Sequence, residues 1–393
     1  MIKNILFVDL LIDRGLIDKA KKYIKRVKEY AYRYEEFSLI FLIIEIEESL
    51  FFEHGYIVNR TDLRKLNEER LKIHELINNL TEFRILKAEI QELQLDDNYL
   101  LMTIEDYYKI PQYALLISEE KALSQKAKNL WSYLNALIFY FVRDYKSALL
   151  MIEKQYQYYH LNTTIFTRDD YLQMLNNYLL FCCRAKNDKK FYQIINELDS
   201  LSDKNKKDEV YIKTVKYYRT LELHYCLEEF DSAFKLAKEA EEYIESNSDR
   251  IEPFDIKYLQ MLIIRAYINF GQYENANRYL QIRYLTKGFA YNELLAKLFE
   301  FITQYKLGNT HILEYSVNSW SKITQTKRKL YKAEKILFSF FRMIDYATSS
   351  DSKKELLIKT SNKLKEIEKN SSENFIFEDF DFIRWFEVEL NKI

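Results

Sequence analysis

The sequence predicts an all-α fold: a right-handed superhelical solenoid of stacked antiparallel helical hairpins that repeats about every 42 residues. Three observations predict it. Only 5 glycines and 2 prolines interrupt 393 residues, whereas 33 tyrosines and 26 phenylalanines supply large amphipathic side chains. So few breakers suit long packed helices and not a sheet that needs tight turns. Apolar residues recur at helical spacing, as at Ala20, Ile24, Val27 and Ala31, and again at Ala233, Ala237, Ala240 and Ile244. Between such runs one short unit returns: the end of an apolar helix, a tight turn, and a second helix that opens on a small residue.

The clearest copy is INFGQYENANRYL (268–280), with Gly271, Tyr273 and Ala276. RGLIDKA has Gly15 and Ala20, RDYKSA has Tyr145 and Ala148, and EEFDSA has Phe230 and Ala233. In KNDKKF, Lys186 takes the glycine place and Phe191 the alanine place. The anchors at 143, 186, 228, 271 and Gly308 are 43, 42, 43 and 37 residues apart. Glycine permits the left-handed backbone that ends a helix. The aromatic can pack back over the turn, and alanine lets two helices approach closely. Where Arg143 or Glu228 stands instead of glycine, the turn is expected to close another way, through the polar residue after it. Regularity on this scale marks hairpins that cannot bury an apolar face alone and therefore stack.

This pattern resembles the tetratricopeptide repeat, in which glycine or alanine, tyrosine and alanine hold corresponding places. YINFGQYENA is the best match, because Tyr267 also stands at the family's first-helix aromatic position. The spacing exceeds the family's, about 34 residues, so longer helices or connections absorb the excess. Further along, EYSVNSWSKITQTKRKLYKAEKILFSFF (314–341) and FEDFDFIRWFEVEL (377–390) resemble the end of a group of bacterial tetratricopeptide-like proteins without an assigned activity. Together with RGLIDKAKKYIKRVKEYA and FVRDYKSALLMIEK the likeness covers most of the chain. It implies the fold and brings no catalytic residues with it. Those proteins usually carry an additional N-terminal helical segment, and this chain begins where that segment would end.

One array is therefore expected over residues 1–393, in four parts: N-terminal hairpins (1–55), irregular long helices (56–125), regular repeats (126–310), and C-terminal hairpins with a capping helix (311–393). Residues 61–95 read as one or two long helices opened by Thr61 or Asp62. Pro111 breaks a helix, and Ser118 caps the next. Thr167 and Pro253 stand at further helix starts. The polar runs 200–209, 246–250 and 369–374 read as loops. Residues 377–391 should form a last helix docked on the preceding hairpin, with Phe382, Trp385, Phe386 and Leu390 inward and Glu387 and Glu389 toward water. At the other end FVDLLIDRG starts a hairpin at once, so part of its apolar face should be exposed or shared with a partner, a second copy included.

Charge and motif content narrow the function classes. Lysine plus arginine (59) nearly balance aspartate plus glutamate (60), so no global field draws the chain to nucleic acid or anionic lipid. The most apolar stretch, SLIFLIIEIEESLFF, carries Glu45, Glu47 and Glu48 and is too short and too charged to span a bilayer. Asp9 interrupts the first apolar run and no cleavage site follows, so no export signal is read there. The three cysteines, Cys182, Cys183 and Cys226, fall inside apolar helical patterns, which fits inert thiols in a reduced cytoplasmic protein.

No GxGxxG, GxxxxGK[ST] or GxSxG occurs, so the usual phosphate-cradling loops and nucleophile elbow are missing. None of the five histidines has a glutamate three residues before it, as a dimetal carboxylate site of the ferritin type requires. His74-Glu75 lacks a second histidine, and adjacent Cys182 and Cys183 project about 100° apart on a helix. No metal site and no cofactor are expected. RTLELH (219–224) resembles the arginine–four residues–histidine motif of helical HEPN-type ribonucleases, in which Arg219 would stabilise phosphate charge and His224 would move a proton. In the repeat register His224 falls at the inward position that Tyr267 fills one repeat later, which favours a structural histidine. The basic run KITQTKRKLYKAEK offers Lys322, Lys327, Arg328, Lys329, Lys332 and Lys335 to phosphates, with Tyr331 for stacking. Read as a helix, it is a solvated face behind a buried stripe of Leu330, Ala333 and Ile336.

The expected activity follows from shape: a non-enzymatic scaffold that binds a protein or peptide along the concave face, where first helices present outward side chains. By register the groove residues are Asn176, Asn177, Arg184, Tyr218, Glu222, Met261, Arg265 and Asn269. Mixed polar and aromatic groups suit an extended chain, and the same groups can instead pair within the stack. A second reading is a peptide-sensing regulator, since bacterial pheromone receptors use similar repeats. The ribonuclease is the third.

Overall fold

Seven helix-to-helix turns among the described residues close through the same backbone device. In the computed structural model, which describes residues 2–53, 60–93, 106–107, 109–202, 206–281, 290–327, 331–347, 349–370 and 372–392, seven turn residues take positive φ. They are Gly15 (70°), Glu35 (50°), Arg143 (62°), Lys186 (52°), Glu228 (62°), Gly271 (68°) and Gly308 (70°). At each, the residue's N–H reaches the carbonyl three residues back, and the next N–H reaches the carbonyl five back. Gly271 N donates to Ile268 O at 3.1 Å and Gln272 N to Tyr267 O at 2.8 Å; Glu228 N donates to Tyr225 O at 3.3 Å and Glu229 N to His224 O at 2.8 Å. This is the Schellman closure, which satisfies carbonyls left open at a helix end.

Arg143, Lys186 and Glu228 thus adopt the glycine conformation itself, at a cost of about 1–2 kcal/mol each for a side-chain-bearing residue. The expectation that these turns close differently is corrected. At two of the three the polar residue that follows acts on the next helix instead, as its cap, whereas Glu229 makes no side-chain cap bond and meets His224. Asp144 accepts from Ser147 N, and Asn187 accepts from Lys190 N. Glu35 marks a turn that the repeat pattern did not reveal, because Ile40 stands where four of the other copies have alanine.

The described residues contain helices and no strand. In chain order the α-helices are α1 (Ile2–Asp13), α2 (Ile17–Arg33), α3 (Phe37–Glu53), α4 (Arg60–Leu93), α5 (Gln125–Phe141), α6 (Tyr145–Leu161), α7 (Arg168–Arg184), α8 (Asp188–Asp199), α9 (Lys206–Cys226), α10 (Phe230–Asn247), α11 (Pro253–Asn269), α12 (Tyr273–Leu280), α13 (Ala290–Lys306), α14 (Thr310–Lys327), α15 (Lys332–Met343), α16 (Ser350–Asn370) and α17 (Phe382–Leu390). They fall into two compact units, one of Met1–Gln91 with Ile104–Asn177 and one of Glu92–Thr103 with Tyr178–Ile393. None of these helices is long and apolar enough to cross a membrane.

In the first unit α1 packs on α2, α2 on α3, and α5 on α6. Residues 61–93 belong to one helix, and it begins at Arg60, ahead of the expected cap at Thr61 or Asp62. Ser118 caps only a short 3₁₀ turn; the cap of α5 is Ser124, which accepts from Ala127 N at 3.1 Å. Glu35 completes that helix start from a distance, accepting from Gln125 N and Lys126 N at 2.8 Å each. A carboxylate there meets free N–H groups and the positive end of the helix dipole. On α1, Val8 and Leu11 are buried while Leu6, Phe7 and Leu10 are exposed, as the apolar N-terminal pattern implies.

The second unit packs successive helices from α8 to α17, and α9 also lies on α11 and α11 on α13. The turn alanines are in close contact, with Ala233 and Ala276 at 1% and 0% exposure. Pro253 occupies the first turn of α11, and in the first unit Thr167 and Asp170 cap the start of α7 reciprocally. Two expected loops begin inside helices: α10 runs to Asn247 before the turn at 248–250, and α16 runs to Asn370 before the 3₁₀ segment that starts at Ser372.

The last helix is shorter than 377–391 and follows a 3₁₀ segment, Ser372–Phe377. Phe382, Trp385 and Phe386 are buried as expected, and Glu387 is exposed in an ion pair with Lys365. Glu389 is not: it is buried and bonded to Lys306 Nζ at 2.7 Å. The segment also spreads along the unit. Phe380 meets Phe299 edge-on at 5.2 Å, the Arg384 guanidinium lies 4.3 Å over Phe230, and Asp379 Oδ1 accepts from Arg184 Nη2 at 2.8 Å.

The abundance of tyrosine has a physical use. Four buried or half-buried carboxylates are each shared between a tyrosine hydroxyl and a cation. Glu69 takes Tyr32 and Lys28; Glu119 takes Tyr158 and Lys154; Glu222 takes Tyr258 and Arg219; Glu241 takes Tyr267, Tyr279 and Arg278. In each case at least one donor comes from a different helix. The hydroxyls incur no charge-burial penalty, yet satisfy lone pairs that a single cation leaves open.

Two outcomes follow. Replacing Glu228 or Lys186 by glycine should raise stability by up to about 1 kcal/mol, and Gly271→Ala should lower it by a similar amount; a Cβ on Gly271 meets only Tyr273 Cε2 at 3.7 Å, so the cost there is in the backbone. Chemical denaturation of the three variants reads the signs. Deleting residues 377–393 removes Phe380, Phe382, Ile383, Trp385 and Phe386 from the core, at about 1.5–3 kcal/mol per large side chain. Cooperative melting should be lost; a truncated protein that melts unchanged refutes the packing role.

Candidate binding face

In the second unit the C-terminal end of α7 and the helices α9 and α11 bring together four of the sequence-selected residues: Arg184, Tyr218, Glu222 and Arg265. Their spacing is helical. On α9, Tyr218, Arg219, Glu222, Tyr225 and Cys226 fall three or four residues apart and so share one side. Cys183 Sγ donates to Arg219 O at 3.4 Å, which ties α7 to α9.

Glu222 is the centre of this face. Its Oε2 accepts from Arg219 Nη1 at 2.6 Å, and its Oε1 from the Tyr258 hydroxyl on α11. Both members of the ion pair are buried, with side chains 9% and 7% exposed. Burial works against the Arg219 charge, but Glu222 outweighs it and holds the guanidinium above its usual pKa. The Tyr258 hydroxyl is pushed well up, first by burial and then by Glu222. Tyr218 stacks edge-on against Tyr258 at 5.4 Å and lies 4.9 Å from the Arg219 guanidinium. Tyr218 and Glu222 are therefore structural members of the face, buried among their partners and not presented outward.

The two remaining arginines differ. Arg184 has a carboxylate, Asp379, in the C-terminal segment. Arg265 lies 4.0 Å over the ring of Tyr225, whose hydroxyl donates to Leu262 O at 2.6 Å. Its Nε is buried without an acceptor. Between them Cys226 senses all the surrounding charge. Burial raises its thiol pKa most, Arg184 and Arg265 pull it down, and Glu222 and Asp379 push it up.

The other selected residues do not join the cluster. Met261 is half-buried on α11 and Asn269 is exposed at that helix's end. Asn176 and Asn177 belong to the first unit, where both are half-buried. Asp379 was missed, because only a contact 195 residues distant reveals it; the acidic–aromatic run FEDFDF was its one local signal.

Arg219 and His224 do not form a joint site. Arg219 is locked to Glu222, while His224 Nδ1 meets Glu229 at 2.7 Å across the turn after α9. In the basic run Lys322, Lys332 and Lys335 are exposed, whereas Tyr331 is buried edge-on against Phe375 at 5.2 Å and cannot stack on a base. Arg328, Lys329 and Leu330 lie outside the described residues, and Lys327 is the last residue of α14. Among the described residues no group of three or more histidine, cysteine, aspartate or glutamate side chains is placed to hold a metal ion. Cys182 and Cys183 are buried free thiols and Cys226 is a half-buried one.

Comparison with protein-family models, curated proteins and solved structures finds no match to this chain.

Glu222→Gln should cost about 3–5 kcal/mol, since it leaves the buried Arg219 charge without a counter-ion. Tyr258→Phe should cost less, because the carboxylate keeps its cation. Urea denaturation of both variants measures the order; equal losses refute Glu222 as the centre.

Proposed function

We propose that the chain is a non-enzymatic binding scaffold: a tetratricopeptide-like solenoid of helical hairpins, repeating about every 42 residues, that holds an extended protein or peptide segment along the face of α7, α9 and α11. The observation that carries this reading is that the same face already takes such a segment from its own chain, with Asp379 on Arg184. The side-by-side packing of α9 on α11 and α11 on α13 supports an array of hairpins. So does the return of one turn geometry at Arg143, Lys186, Glu228, Gly271 and Gly308. Arginine and tyrosine held rigid by neighbours are the groups that anchor interfaces most strongly. Free buried thiols fit a reducing, cytoplasmic setting. A ribonuclease gains no support, since Arg219 and His224 are each engaged by a separate carboxylate.

The test is affinity capture from source-cell lysate with the wild-type chain and with Arg265→Glu. A stoichiometric protein partner should be recovered by the wild type and lost at least tenfold by the variant, with helicity unchanged by circular dichroism. Retention of the partner by Arg265→Glu removes this face from the reading, and RNA cleavage abolished by His224→Ala replaces the scaffold with the enzyme.

A further inference from the structure

The face just described satisfies every charge in it but one. Glu222 is taken by Arg219 and Tyr258, and Asp379 by Arg184. Arg265 is left with no hydrogen bond and no ion pair among the described residues; its contact is the Tyr225 ring, 4.0 Å from the guanidinium carbon. The residue is half-buried and its Nε is shielded from water without an acceptor. A buried donor without a partner is costly, and a guanidinium more so, because water that would solvate it has been removed. Stacking recovers only part of that cost.

A planar fork whose orientation is held by an aromatic ring is well suited to a carboxylate, which it can grip with two parallel bonds. The chain itself supplies the matching chemistry nearby. The run Phe377–Phe382 (FEDFDF) alternates acids with aromatics; Asp379 is gripped by Arg184, while Phe380 and Phe382 are buried. The face therefore takes an acidic side chain whose flanking Phe380 is buried beside it against Phe299 of α13, and it has a second arginine not paired in this way among the described residues.

We infer that Arg265 is the anchor for an aspartate or glutamate side chain, flanked by aromatic residues, in the peptide segment of a partner. The inference rests on the scaffold reading and gives it a ligand class: an acidic–aromatic peptide whose carboxylate completes the bonding that Arg265 lacks. Tyr225 is the positioning residue. The guanidinium lies over its ring, and the ring is itself fixed by its hydroxyl's bond to Leu262 O.

Fluorescence anisotropy on the full chain tests it, with the labelled peptide FEDFDF and the neutral control FQNFNF as probes. The acidic peptide should bind at least tenfold tighter than the control, and added salt should weaken it. Arg265→Gln should lower its affinity at least tenfold, and Arg265→Lys should restore only part, since the charge returns without the fork. Arg265→Met should melt at or above the wild-type temperature, because it removes an unsatisfied charge. The inference is overturned if neither peptide binds, or if Arg265→Gln binds the acidic peptide as the wild type does. It also falls if Arg265→Met melts several degrees lower, which would make the stacked guanidinium a structural brace. Equal binding of both peptides, insensitive to Arg265, sinks this inference alone and leaves the scaffold standing.

Discussion

The carboxylate shared between a tyrosine and a cation is the interaction on which the helix packing depends. A single lysine or arginine neutralises a carboxylate but leaves lone pairs unsatisfied, and a half-satisfied buried charge destabilises. A tyrosine hydroxyl adds a donor without adding charge, and its ring packs against apolar neighbours. At Glu69, Glu119, Glu222 and Glu241 this combination joins helices whose partners lie 36 to 41 residues apart in Tyr32–Glu69, Lys28–Glu69, Tyr158–Glu119 and Tyr258–Glu222. An all-helical chain in which 30% of residues are charged needs such a device, because apolar stripes alone cannot bury faces that carry glutamate.

The turns impose the second constraint. One closure geometry serves both glycine and the bulkier Glu35, Arg143, Lys186 and Glu228. The chain accepts left-handed strain at those four positions because two hydrogen bonds and a buried apolar residue on the next helix over-determine the conformation. Glu35 illustrates how such a residue can be retained: its backbone closes one hairpin while its carboxylate caps α5. A glycine there would relieve the backbone but leave the N–H groups of Gln125 and Lys126 without the Glu35 carboxylate.

These constraints meet on the face of α7, α9 and α11. Arg184 and Arg219 are neutralised and held, so they belong to the architecture as much as to any surface. Arg265 lies over a ring but, unlike those two, pairs with no carboxylate among the described residues. Departures of this kind from complete pairing mark where a structure retains unsatisfied bonding capacity, and functional sites are where proteins commonly tolerate it.

Local chemistry by itself determined a good deal. Helicity followed from the scarcity of breakers, the hairpin ends from the recurring anchor and alanine, and the start of α7 from the Thr167–Asp170 pair, since each depends on residues within one or two turns of one another. Local chemistry also placed Phe382, Trp385 and Phe386 inward. It misjudged Glu389, which looks like a solvent residue until Lys306 is brought to it, and it offered Tyr218 and Glu222 as groove residues when both are buried. Only the tertiary structure decided which carboxylates are interior, that Glu35 caps a helix 90 residues on, and that Asp379 returns to Arg184. The reason is physical: a helical period reports which side of a helix is apolar, whereas the partner of a charge is set by the helix that packs against it, and no local spacing encodes that neighbour.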